Sequence, residues 1–218
     1  MKLRAIVAVL GLALAACEEA RAPEPYETVA ISPFLGDAVL GNPDAPVALV
    51  EYASTTCGHC LAFHQQVFPD LKAKYIDTGK VKLRFVMMPT QPVAIAMAGE
   101  ALARCAGEDK YFDVIATLFD AQRTLISAAR NPWQLQQELR GVGKMHGLDN
   151  DEVGSCIDDE AILAHTRAGA QAAPAEITGT PSFAIDGRKL ELETLEDLSA
   201  QLDAALAKAA SPPSGDGH

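Results

Sequence analysis

Pro46-Val47-Ala48-Leu49-Val50-Glu51-Tyr52, followed shortly by Cys57-Gly58-His59-Cys60, is the stretch on which the reading of this chain turns. An apolar run of strand composition delivers the chain to two cysteines. A helical pattern begins at the first of them and continues through Phe63, Val67, Leu71 and Tyr75. A thiol at a helix start faces backbone N–H groups that lack intrahelical partners, and the positive end of the helix dipole favours its thiolate. Two intervening residues put Cys60 one turn behind Cys57, close enough to form a disulfide or to resolve a mixed one.

Beyond this helix, Asp77-Thr78-Gly79-Lys80 breaks the pattern, and Val81-Lys82-Leu83-Arg84-Phe85-Val86-Met87 alternates with the strand period. Strand, helix and strand in this order predict a βαβ unit with a parallel pair. Pro69 falls inside the helical pattern and predicts a kink. Residues 35–46 read as a turn-rich lead-in. From 91 to 173 the pattern is helical throughout. Val93, Met97, Ala101, Leu102 and Cys105 mark one face, and Tyr111, Val114, Ile115, Leu118 and Phe119 another. Further helices are expected around Leu135–Leu139–Val142, Val153–Cys156–Ile157 and Ile162–Thr166–Ala170. Strands resume at Ser182-Phe183-Ala184-Ile185, turn at Asp186-Gly187 and return through 188–192, before a closing helix carrying Leu195, Leu198, Leu202 and Leu206.

At 218 residues and 49% hydrophobic, the chain can bury a core of one domain with an insertion. A net charge of −11 argues against nucleic acid or an anionic membrane face as a partner. Lys2 and Arg4 precede an apolar run too short to span a bilayer, the anatomy of an export signal. Leu14-Ala15-Ala16-Cys17 resembles the bacterial lipobox, so lipid is expected on Cys17; ordinary cleavage after Ala15 is the alternative. Export implies an oxidising compartment in which disulfides persist.

A second motif, Gly179-Thr180-Pro181-Ser182-Phe183, precedes the hairpin, with a proline where a strand begins. Together with the Cys-x-x-Cys pair and the helical block between, the sequence resembles the exported thioredoxin-fold family of the DsbA type. The resemblance implies an α/β thioredoxin fold with an inserted all-helical domain. It divides the chain into a signal peptide (1–16), a lipid-anchored linker (17–34), a thioredoxin-like domain in two parts (35–90 and 174–209), a helical insertion (91–173) and a disordered tail (210–218).

The same resemblance implies the roles. Cys57 is the exposed nucleophile, Cys60 the buried resolving thiol, and Gly58 and His59 tune the redox poise, a charged His near the thiolate making the disulfide a stronger oxidant. Pro181, expected cis, packs on the disulfide and leaves the Thr180 backbone free to pair with a substrate. Glu51 matches an acidic position beneath the site that assists proton transfer; a surface carboxylate at a strand end is the other reading of it. The implied activity is introduction of disulfides into exported proteins, without a cofactor, by a monomer recharged by a membrane redox partner. Gly58 stands where the Cys-Pro-His-Cys form has proline, and Thr180 precedes the proline as in family members that isomerise, so isomerase or reductase is the alternative. Isomerases of the family carry a separate dimerisation domain, for which the residues between Cys17 and Leu40 are too few.

A copper- or zinc-binding lipoprotein is the rival class, with Cys57, Cys60 and His64 on one helical face but no fourth ligand in sight. His64 otherwise reads as a partly exposed helix residue. Cys105 and Cys156 are expected to pair, the alternative being two buried free thiols. His146 and His165 receive no role, and Met87-Met88 reads as core.

Overall fold

The computed structural model describes residues 22, 23, 25, 27–192 and 196–211. The expected signal peptide, the lipidation site Cys17, Leu195 and tail residues 212–218 lie outside the described residues.

Two strands, β2 (Val47–Ala53) and β3 (Val81–Met87), form the centre of the sheet and run parallel, with Val47 beside Val81 and Ala53 beside Met87. Both alternate buried and half-buried residues at first and become buried on both faces toward their carboxyl ends. β1 (Ala38–Leu40) pairs antiparallel with β3, β4 (Ser182–Ile185) with β2, and β5 (Arg188–Lys189) with β4. The order is β1-β3-β2-β4-β5. β1 lies in the stretch read as a turn-rich lead-in: three residues are too few to show a period, and pairing with β3 makes them a strand. The Asp186-Gly187 turn has both residues at positive φ, 52° and 73°, as a two-residue hairpin requires. β5 stops well short of the expected residue 192, although Leu190 N–H still donates to the Phe183 carbonyl.

α1 (Gly58–Gln66), α2 (Phe68–Leu71) and a π-helical turn over Lys72–Ile76 make the crossover from β2 to β3. One kinked helix was expected; the chain instead breaks at Val67, and Pro69 sits in the first turn of α2, where its missing N–H is not needed. α9 (Glu196–Ala210) covers the same face and buries Leu198 and Leu202 with Leu49, Phe63, Tyr75, Leu83 and Phe183.

Between β3 and β4 lie α3 (Val93–Cys105), a 3₁₀ turn (Glu108–Lys110), α4 (Tyr111–Asp120), α5 (Gln122–Ala128), α6 (Pro132–Met145), α7 (Asn150–Ile157) and α8 (Glu160–Gln171). Side chains of Asn131, Asp149 and Asp159 cap the starts of α6, α7 and α8. Gly147, at φ 93°, ends α6 as Leu148 N–H reaches back to the Gly143 carbonyl. α3 is the axis of the block. It is buried nearly all round from Ile95 to Arg104, while Val93, placed on its buried face by the sequence pattern, is 40% exposed. Its small residues admit close neighbours: a Cβ on Gly99 would lie 3.0 Å from Leu118.

α8 lies against β3 as well as α3, and Ala173 joins Tyr52, Val86, Ile177 and Ala184 on the sheet face opposite α1. The last residues of the expected linker, 29–34, are fastened to the helical block. Val29 N–H donates to the Ser155 hydroxyl, Phe34 N–H to the Arg104 carbonyl, and Ile31 and Phe34 pack on the helical core. Arg104 holds this segment through the Phe34 and Gly36 carbonyls, and its Nε donates to Glu100 at 2.7 Å. Tyr111 donates to the other Glu100 oxygen, also at 2.7 Å. Burial raises the Glu100 carboxyl above its ordinary range, with Arg104 and Tyr111 opposing.

Cys105 and Cys156 are joined, tying α3 to α7 across a sequence separation of 51. Among the described residues no helix is long and apolar enough to cross a membrane. In a background with Cys57 and Cys60 replaced by serine, changing Cys105 and Cys156 to alanine should lower the unfolding free energy in urea by about 4 kcal/mol, the loop-closure figure for this separation. A loss under about 1 kcal/mol would show that the bridge does not restrain the unfolded chain.

Candidate active site

β2 ends at Ala53, and the chain enters α1 through Ser54, Thr55 and Thr56, all buried. Cys57 is the N-cap of α1, with φ −84° and ψ 122°, and its Sγ accepts the Cys60 backbone N–H at 3.3 Å. Cysteine thus takes the position usually held by a Ser or Asp side chain. The Cys57 S–H donates to the Thr180 carbonyl at 3.3 Å, and the Thr180–Pro181 bond is cis. The two sequence motifs, far apart in the chain, therefore meet at one sulfur.

The two thiols are free and differ sharply in environment. Cys57 is half-buried and Cys60 fully buried. The Cys60 thiol hydrogen-bonds to Cys57 and, with the Thr180 side chain and the backbone N–H groups of Cys60 and His59, lowers the Cys57 pKa to about 5 against the cost of burial. The same bond, followed by burial, pushes Cys60 far above the ordinary thiol range. His59 contributes its backbone N–H to this balance, and its side chain, like Gly58, lies in an exposed position. A Cβ on Gly58 would meet nothing within 4 Å, so no steric demand reserves that position for glycine.

Glu51 is fully buried in β2, opposite Phe85 and Phe183, which removes the surface-carboxylate reading. Its Oε1 lies 3.0 Å from His64 Nε2, and its Oε2 has no hydrogen-bond partner in the structure. His64 is partly buried, as expected of it, with its side chain 9% exposed and stacked on Phe119, ring centres 4.2 Å apart. A cavity of about 320 Å³ opens beside it, lined by Phe68, Phe112, Phe119 and Asp120. His64 Nε2 is thus given to Glu51, which weighs against the Cys57–Cys60–His64 ligand set; among the described residues no group of three or more His, Cys, Asp or Glu is placed to hold a metal ion.

The loop is clamped from both sides. Ser54 Oγ accepts from the Thr56 and Thr90 N–H groups, and Thr56 Oγ1 donates to the Thr90 carbonyl at 2.9 Å. From the helical block, buried Gln122 donates Nε2 to the Thr55 carbonyl at 2.8 Å and the Cys57 carbonyl at 3.0 Å. Sequence reasoning missed Gln122 entirely, because one glutamine in a short helix carries no period and no motif.

A lowered thiol pKa stabilises the reduced fold. That contribution is full above the ordinary value of 9.0, shrinks as pH falls, and is gone below about 5. Thiolate absorbance near 240 nm in the reduced protein should accordingly titrate with a midpoint near 5, and Cys57→Ser should abolish the step. The melting-temperature advantage of the reduced protein over Cys57→Ser should fade across the same interval.

Comparison with known proteins agrees with this geometry. The thioredoxin family model matches residues 35–204. A Rickettsia bellii protein named as a protein-disulfide oxidoreductase is 32% identical over 174 residues, 78% of this chain and 64% of that one. A Rickettsia prowazekii protein of similar name is 32% identical over 180 residues, 61% of its own length, so the chain spans under two thirds of these relatives. The crystal structure of Wolbachia pipientis alpha-DsbA1 superposes with a TM-score of 0.69 at 29% identity, covering 81% of this chain and 94% of that one. With its family model, its relatives and its inserted helices all in accord, the chain belongs to the thioredoxin family, in the DsbA-type branch of it.

Proposed function

We propose that this protein exchanges thiols and disulfides with other proteins outside the cytoplasm, and that it works as their oxidant. The observation that carries the reading is the polarised pair: a half-exposed Cys57 of low pKa beside a buried Cys60 of high pKa. A substrate thiolate attacks Cys57 Sγ in the oxidised protein, and the Cys57–Cys60 bond breaks. Cys60 leaves with the electron pair and takes a proton, which its burial favours. A second substrate thiolate then attacks the substrate sulfur of the mixed disulfide and expels Cys57 as a thiolate, a good leaving group because of its acidity. Two electrons have passed from the substrate dithiol to the protein, and a membrane redox partner removes them. In the reducing direction Cys57 attacks and Cys60 resolves.

Glu51, buried on the strand leading into the loop, is proposed to supply the Cys60 proton, and the Thr180 backbone beside Cys57 to pair with the substrate chain. Stabilising the thiolate stabilises the reduced protein, which makes the disulfide oxidising; this favours oxidase over isomerase or reductase. The export signal and Cys17 lipobox support a protein held by lipid at the periplasmic side of a bacterial membrane.

Cys60→Ser should trap substrate proteins on Cys57 as mixed disulfides released by dithiothreitol, and Cys57→Ser should trap none. The oxidised protein should oxidise a dithiol peptide readily while unscrambling a misbridged protein slowly. Faster unscrambling than oxidation would overturn the oxidase assignment and leave the isomerase.

A further inference from the structure

The Cys57 carbonyl is held by two donors of different origin. Leu61 N–H reaches it from within α1 at 3.1 Å, the first hydrogen bond of that helix. Gln122 Nε2 reaches it from the helical block at 3.0 Å, and the same amide nitrogen holds the Thr55 carbonyl at 2.8 Å. An amide nitrogen carries two N–H groups, so both donors of Gln122 are committed to the redox loop. Gln122 is 5% exposed and Thr55 3%, which leaves little room for water to replace either bond. Rotation about ψ of Cys57 swings this carbonyl, so fixing the carbonyl fixes ψ at its N-cap value of 122°. That angle decides whether Sγ faces the N–H groups at the start of α1 or turns away from them.

We infer that Gln122 is a positioning residue for the redox reaction: by clamping the Thr55 and Cys57 carbonyls from the helical block, it holds Cys57 in the N-cap geometry that favours its thiolate. The inference rests on the reading of Cys57 as the redox nucleophile. It also gives the helical block a part in the chemistry, since Gln122 begins α5 and any shift of α5 against α1 is felt at the Cys57 peptide.

The test uses the full reduced chain. Gln122→Leu keeps the bulk and removes both donors, and Gln122→Asn shortens the reach so that both carbonyls cannot be held together. Thiolate absorbance should show the Cys57 midpoint rising by about one pH unit in Gln122→Leu, a tenfold loss of thiolate preference, with a smaller rise in Gln122→Asn. The equilibrium with glutathione should shift by about the same tenfold, against reduction of the Cys57–Cys60 disulfide. The double variant Cys105→Ala/Cys156→Ala, destabilised at a distance, should keep the midpoint of the parent. If the parent titrates near 5 and both Gln122 variants titrate with it, whatever their melting temperatures, Gln122 is only structural and the inference fails while the proposed function stands. Should Gln122→Leu not fold, Gln122→Asn alone decides. A parent midpoint near 9 overturns the proposed function and this inference together.

Discussion

One sulfur, set between a neighbouring thiol and the unpaired N–H groups that open a helix, is the constraint the rest of this molecule serves. The hydrogen bond from Cys60 does most to stabilise the Cys57 thiolate, and the N–H groups of Cys60 and His59 add to it. Each part depends on the other. Cys60 can donate because burial and the adjacent Cys57 keep it protonated, and Cys57 can ionise because Cys60 donates. The two thiols are therefore one coupled device, and the structural task is to hold two side chains of one helical turn in opposite environments.

The fold meets that task by surrounding a single loop. β2 delivers it, the Thr180 carbonyl approaches from the β4 side, Thr90 pins it from the end of β3, and Gln122 pins it from the helical block. Polar groups in this region are buried, which is costly unless they are paired. Ser54, Thr56 and Gln122 are paired within the loop's own network. Two buried oxygens here have no hydrogen-bond partner in the structure, Thr55 Oγ1 in the loop and Glu51 Oε2 on the strand beneath it.

A second buried network does a different job. Glu100, Arg104 and Tyr111 are matched donor to acceptor, and Arg104 extends the set to the carbonyls of Phe34 and Gly36. Removing Glu100 or Arg104 would strand the other's charge in the core, at a cost on the order of 3–5 kcal/mol for a broken buried pair. The incoming chain is thereby fastened to α3, the helix against which the block and the disulfide are assembled.

Much of this was legible in the sequence, and the reason is local. The alternation in 81–87, the Cys-x-x-Cys pair after an apolar run, the Asp186-Gly187 turn and the leucine spacing of the last helix each report a period or a turn that the chain carries within a few residues. Order along the chain then sufficed to suggest the family. What stayed hidden depends on residues distant in sequence. β1 is a strand only because β3 lies beside it, and Ala173 packs with the sheet only because Val86 and Ala184 leave a face to cover. His64 meets Glu51 across the β2–α1 crossover, and Gln122 meets Cys57 across the boundary between helical block and sheet. Local patterning determined that a thiol would stand at a helix start; tertiary packing alone decided which buried groups would hold it there, because a hydrogen bond between distant residues leaves no mark on the spacing of either.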